Sequence, residues 1–272
     1  MKRIITACLI LAFAILALSS CEIGAWYKYD NASKYTAGDV KLDESPKNLD
    51  IDWIAGRIRI EYSDDGKFKA EEKASSDNTS SNAPMYTWLD GDTLRIKFLN
   101  SGRRYLESFS KVLFIYVPRG TVFDNVNINS ISSDLVLLNI NAESIDTNTV
   151  SGAVTISDCR SDALMAESVS GSLHISGSDI NNVDFSSVSG SLTCGNSKLA
   201  DSVEFTTISG STMLELTEDS GFTVEFNTVS GSTTIELPVT ETDGKKVYGD
   251  GSSKIKISSV SGSLIIVKST GN

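Results

Sequence analysis

The sequence predicts an all-β fold: a single-domain parallel β-solenoid, β-helix-like, with rungs of about 20 residues. Three observations carry that reading. A Val or Ile, a Ser and a Gly recur together, ending at Gly152, Gly171, Gly190, Gly210, Gly231 and Gly262, at intervals of 19, 19, 20, 21 and 31 residues. The same apolar register surrounds each glycine; in Val183–Asn196 it places apolar residues seven, five and two before Gly190, and two and four after it. Looser copies keep the register too, with Ser133 at the central position of Val126–Leu137 and Gly56 at that of Leu49–Tyr62. One such unit cannot bury its apolar side except against copies of itself, which is why a period near 20 reads as a stack.

Within a unit, alternation of apolar and polar residues is the pattern of a strand. The alternation slips by one residue at Ser186-Ser187, Thr206-Thr207 and Asn227-Thr228, which places a corner there. Each coil then holds two short strands, stacked at about 4.8 Å per rung. The handedness preference of parallel crossovers implies a right-handed coil. Serine at position 133 favours a small residue in a tight corner over an obligatory positive φ.

Taken in order, residues 1–20 read as a signal peptide: Lys2-Arg3, an apolar run, then Leu18-Ser19-Ser20-Cys21. That ending resembles the bacterial lipobox, and Cys21 is the expected lipidation site. The apolar run is at the bare minimum for a transmembrane anchor, which favours the lipoprotein reading. Residues 21–38 form a membrane-proximal tether, whose aromatics either sit at the membrane interface or cap the first coil. The solenoid occupies 39–272. Its irregular first coils carry an insertion, 63–125, with strand-like Leu94–Phe98 and Val112–Val117. Regular rungs run over 126–237, a loop over 238–253, and a terminal rung over 254–268. Lys254 and Lys256 on that last rung read as protection of an open edge.

Charge is segregated along the chain. Arg95 to Arg119 holds six basic residues against Glu107, while Gly120–Ser230 holds 15 acidic residues against Arg160 and Lys198. Without Lys2 and Arg3 the chain has 22 basic and 35 acidic residues, a net of −13. This argues against a nucleic-acid partner, whose affinity comes mostly from phosphate neutralisation. Cys159 and Cys194 lie two rungs apart, about 9.6 Å by the rung spacing and beyond the roughly 7 Å reach of a disulfide.

No catalytic or cofactor-binding residue set stands out. The lone histidine, His174, occupies an outward position, and abundant serines do not make a triad. Asp184, Glu204 and Glu225 stack on consecutive rungs six places before the glycine; Glu215 and Glu236 stack five places after it. Such carboxylates read first as a solvated acidic face, with weak surface Ca²⁺ binding as the minor reading. No cofactor and no dedicated metal site are expected.

The ordered set Leu49–Gly56, Ile115-Tyr116-Val117-Pro118, the V-S-G-S array and the closing Lys254–Gly262 resembles bacterial β-strand-repeat proteins of unknown function, often labelled as adhesins. The resemblance covers roughly residues 40–270. It implies an extracytoplasmic β-solenoid linked to the cell envelope and brings no catalytic residues. The expectation is a non-enzymatic envelope lipoprotein, held to the membrane by its lipid and binding a cell-wall glycan or an envelope protein. The alternative is a polysaccharide-acting β-helix enzyme using stacked surface carboxylates. A groove lined by acids plus Arg or Lys favours the enzyme, a smooth face the scaffold. The expected contact surface is the departure from the period, the loop bearing Asp243, Tyr248 and Asp250.

Overall fold

The alternating stretches pair into one parallel stack in the computed structural model, which describes residues 26–74, 83–104, 110–195, 197 and 201–269. The expected leader and Cys21 lie outside the described residues. Each regular rung has a longer strand before its glycine and a shorter one after. Examples are Arg160–Ser168 with Leu173–Ser176, and Asp179–Ser187 with Leu192–Gly195. Successive rungs pair in parallel and in register, so like positions form columns. One buried column runs Leu49, Val126, Ile145, Leu164, Val183, Val203. In the next, Phe185 and Phe205 stack with ring centroids 4.9 Å apart. Each fully buried side chain of this kind contributes about 1.5–3 kcal/mol, and only the neighbouring rungs can bury it.

The corner falls later than the sequence pattern suggests. Burial alternates without a slip through Val183, Phe185 and Ser187, and the chain bends at Val188-Ser189. The cause is that an inward serine can be satisfied here. The Gly190 amide donates to Ser187 Oγ at 2.7 Å, and the Gly171 amide donates to Ser168 Oγ at 2.6 Å. With its hydroxyl bonded, the serine stays in the core and the strand runs two residues further. The Val or Ile two places before the glycine is thereby displaced from the core; Val229 is 68% exposed. A second corner was not foreseen at all. It turns through Asn139, Asp158 and Gly177, with φ of 58°, 55° and 59°, in the left-handed region that Asn, Asp and Gly tolerate best.

The rungs do not stack in sequence order at the C-terminal end. Ser202–Thr207 pairs with Ser253–Ser261, and it is that strand which pairs with Phe222–Ser230. The companion strands agree: Thr212–Leu216 pairs with Leu264–Lys268, which pairs with Thr233–Ile235. The last rung in the chain is therefore inserted between the two before it. This corrects the reading of Lys254 and Lys256 as edge protection, because they sit on an interior strand. It also corrects the carboxylate ladder. Lys256 lies between Glu204 and Glu225 in register, and it ion-pairs with Glu204. Val267 takes the place next to Glu215. Stacking in sequence order would set Glu204 directly against Glu225, a repulsion of about 1 kcal/mol even when screened by water; the inserted lysine turns it into attraction.

The other end is closed differently. Inside the expected insertion, Thr93–Lys97 and Lys111–Val117 pair in parallel with the two halves of Asn48–Tyr62, adding a coil outside the first rung. Antiparallel strands Phe68–Ala74 and Tyr86–Asp90 then cover the outer edges of that coil. An edge paired in this way offers no ladder for association.

Candidate functional site

The carboxylates of the rung faces are the first candidates. Asp146, Glu167 and Asp184 point outward from adjacent rungs. Burial pushes the carboxyl of each above its usual range; for Glu167 the charges of Asp146 and Asp184 add to this, and for Asp184 that of Glu204. The face is thus acidic, with Asp184 exposed and Asp146 and Glu167 half-buried. Among the described residues there is no grouping of three or more His, Cys, Asp or Glu able to hold a metal ion. His174 is exposed, with Thr155 and Thr193 as its register neighbours, so no carboxylate flanks it in the ladder.

The loop expected to carry contacts is a β-hairpin, Thr240–Thr242 against Lys245–Tyr248, turning at Asp243-Gly244. Both turn residues have positive φ, 51° and 73°, the conformation of a two-residue hairpin turn. Tyr248 packs on Phe222 at 5.3 Å, and its hydroxyl donates to the Glu218 carbonyl at 3.0 Å. Asp250 accepts from the Ser252 amide at 3.0 Å and lies over Gly221, where a Cβ would come within 1.7 Å of its Oδ1. Tyr248 and Asp250 thus fasten the hairpin to the outermost rung, and Asp243 stands exposed at the tip.

Most of the basic residues in 95–119 are engaged within the fold. Arg95 pairs with Asp50 and Asp90, and Lys97 with Asp52. Arg119 lies over the Tyr62 ring, 4.7 Å from its centroid. Lys111 is fully buried, bonded to Glu72 at 2.6 Å and to the carbonyls of Phe98 and Ala83. Arg103 and Arg104 sit on a two-stranded ribbon with Trp26 and Tyr27.

A groove of about 400 Å³ opens on the flank of the stack, where the ladder skips Glu143, Asp162 and Asn181. One wall is the column Val122, Asn141, Arg160, Asp179, and the other is the skipped residues themselves. Buried Ala142 and Ser161 form the floor, and Ser161 Oγ donates to the Glu143 and Ala163 carbonyls. Asn181 donates to Asp162 Oδ1 at 3.0 Å. Sequence reading passed over this site because its residues fall at the start of each rung, outside the apolar register. Its one signal was Arg160, a rare cation in an acidic stretch.

A search of curated proteins gave no match. Three solved structures are similar in outline. A "putative adhesin" from Bacteroides fragilis is 13% identical, covers 86% of this chain and 97% of its own, and has a TM-score of 0.49. A "putative cell adhesion protein" from Clostridium sporogenes is 15% identical over 86% of this chain and 100% of its own, with a TM-score of 0.41. A "putative adhesin" from Parabacteroides distasonis is 14% identical over 89% and 99%, with a TM-score of 0.43. The profile of the Toastrack DUF4097 family matches residues 47–266, and with most of its length so matched the chain belongs to that family.

Proposed function

We propose that this protein is a non-enzymatic binding scaffold of the bacterial cell envelope, lipid-anchored through Cys21, that contacts envelope or surface glycans. The observation that carries the reading is the flank groove, where Arg160, two amides and three carboxylates line up across successive rungs. A groove lined by acids beside an arginine is the feature named above as favouring the polysaccharide-acting alternative. The groove is open to solvent, however, and catalysis by stacked carboxylates needs a shaped site that excludes water. Of the proposed ladder, Glu204 is paired with Lys256, and Glu225 lies beside Lys256 and Lys245. Binding without turnover is what this surface supports.

The test is to express the full chain in a bacterial host, purify it from membranes and probe it on a glycan array, with parallel assays for cleavage products. Binding without product is expected, and Cys21→Ala is expected to release the protein from the membrane or to leave it unprocessed, with the mass of its leader retained. Product formation that disappears with Glu204→Gln or Glu225→Gln would overturn the non-enzymatic reading. Unchanged membrane retention and mass in Cys21→Ala would remove the anchor.

A further inference from the structure

We propose that the flank groove is a saccharide-binding site for a neutral, linear oligosaccharide lying along the solenoid axis, with Arg160 as its principal donor. This rests on the glycan-binding reading above and names the site and the ligand class. Three features of the groove point the same way.

The first is Arg160 itself. The other described arginines are held by carboxylates, rings or further contacts. Arg160 is exposed and makes no ion pair within 4 Å among the described residues, although Glu143, Asp162 and Asp179 line the same groove. An arginine fork presents five N–H donors in a plane, suited to pairs of oxygen acceptors.

The second is the mix of groups. Asn141 and Asn181 both donate and accept, while the carboxylates only accept. Hydroxyl groups do both, so a polyol can satisfy donors and acceptors side by side. An anion is disfavoured, since Glu143 and Asp162 already outweigh the one guanidinium. Val122, 59% exposed, gives apolar area for the C–H face of a sugar ring.

The third is spacing. Val122, Asn141, Arg160 and Asp179 occupy one column on four successive rungs, and Glu143, Asp162 and Asn181 run beside it. At about 4.8 Å per rung the first column spans roughly 14 Å, so its polar groups repeat along the axis like those of an extended chain. A compact ligand would engage one rung; a linear one engages all of them.

The experiment is titration calorimetry on the full chain with three probes: a neutral β-linked glucan series of two to six residues, a glucosamine hexamer and an oligogalacturonate. The neutral series is expected to bind, with affinity rising to about three or four residues and then levelling off. Arg160→Ala is expected to weaken binding at least tenfold, and Asn141→Ala severalfold, with melting midpoints unchanged because both side chains lie on the flank. Glucan binding that is indifferent to both substitutions would sink this site and leave the scaffold reading standing. Preference for the charged probes would overturn the neutral ligand. If the glycan array above yields ligands but no neutral glucan binds, this inference fails alone; if neither binds, the scaffold reading fails with it.

Discussion

Gly190→Ala is expected to lower stability by about 3 kcal/mol or more, and Gly190→Val by more still. An added Cβ would sit 1.8 Å from the Gly171 carbonyl oxygen and 2.7 Å from Ser187 Oγ. Both are fixed: the carbonyl belongs to the backbone of the next rung, and the serine hydroxyl accepts the Gly190 amide. Relief would require separating two rungs that share a parallel ladder on both sides of the corner. The conflict is one of space, since positive φ is confined to Gly56 and Gly152 among the corner glycines. Gly38→Ala is the control. Its φ is +101° with nothing within 4 Å of the added atom, so only backbone strain of about 1–2 kcal/mol is expected. Urea unfolding followed by circular dichroism measures both. Equal losses at the two sites would show that the rung contact is not the cause. Because a stack transmits stability only through neighbours, the Gly190 variants are also expected to broaden the transition as the array splits.

Lys111→Met is the second large effect, with an expected loss of about 3–5 kcal/mol. The ammonium is fully buried, bonded to Glu72 and to the Phe98 and Ala83 carbonyls, and it lies 4.5 Å from the Phe98 ring centroid and 5.0 Å from that of Trp53. Burial pushes the Glu72 carboxyl up and the Lys111 ammonium down from their ordinary values, and their mutual attraction offsets part of this. Methionine keeps the volume and leaves Glu72 as an uncompensated charge. The double variant Lys111→Met/Glu72→Gln is therefore expected to recover much of the loss, since replacing a buried pair by apolar or neutral groups is often close to neutral. A single variant as stable as the parent, or a double variant no better than the single, would contradict this role for the pair. The site matters beyond its own energy because Lys111 opens the strand that seals the first coil; the Gly56 Cβ would meet its carbonyl at 2.1 Å.

The period made the stack legible, because every rung must present the same apolar positions to its neighbours. Val183, Phe185, Leu192 and Cys194 lie in shared columns as their spacing implies. The inward Ser187 and Ser168 were not legible, since a hydroxyl in a core column looks polar until its partner amide is located. Rung order was not legible either. An identical register allows any copy to stack on any other, and nothing local marks the Gly262 rung as the one inserted. In retrospect the clue was Lys256, a cation in a column of acids. The groove was hidden for a related reason: its residues keep the rung offset of 19 but lie outside the apolar positions, and hydrophobic periodicity reports only those.

The C-terminal half of the fold rests on that order of rungs, and cysteine cross-linking reads it directly. Met213 and Ile265 are register partners on adjacent strands, 43% and 37% exposed, whereas Thr234 lies one rung further out, beyond Ile265. In a Cys8→Ala/Cys21→Ala background, Met213→Cys/Ile265→Cys is placed within the Cα range of a disulfide, and Met213→Cys/Thr234→Cys, at about 9.6 Å, is not. Interference from native thiols is slow, because burial pushes the Cys159 thiol up to about 11 and raises that of Cys194. Mild oxidation is expected to close the 213–265 pair within one chain and leave the 213–234 pair open. Closure of 213–234 with 213–265 open would mean that the rungs stack in sequence order, and the inserted C-terminal rung would be wrong.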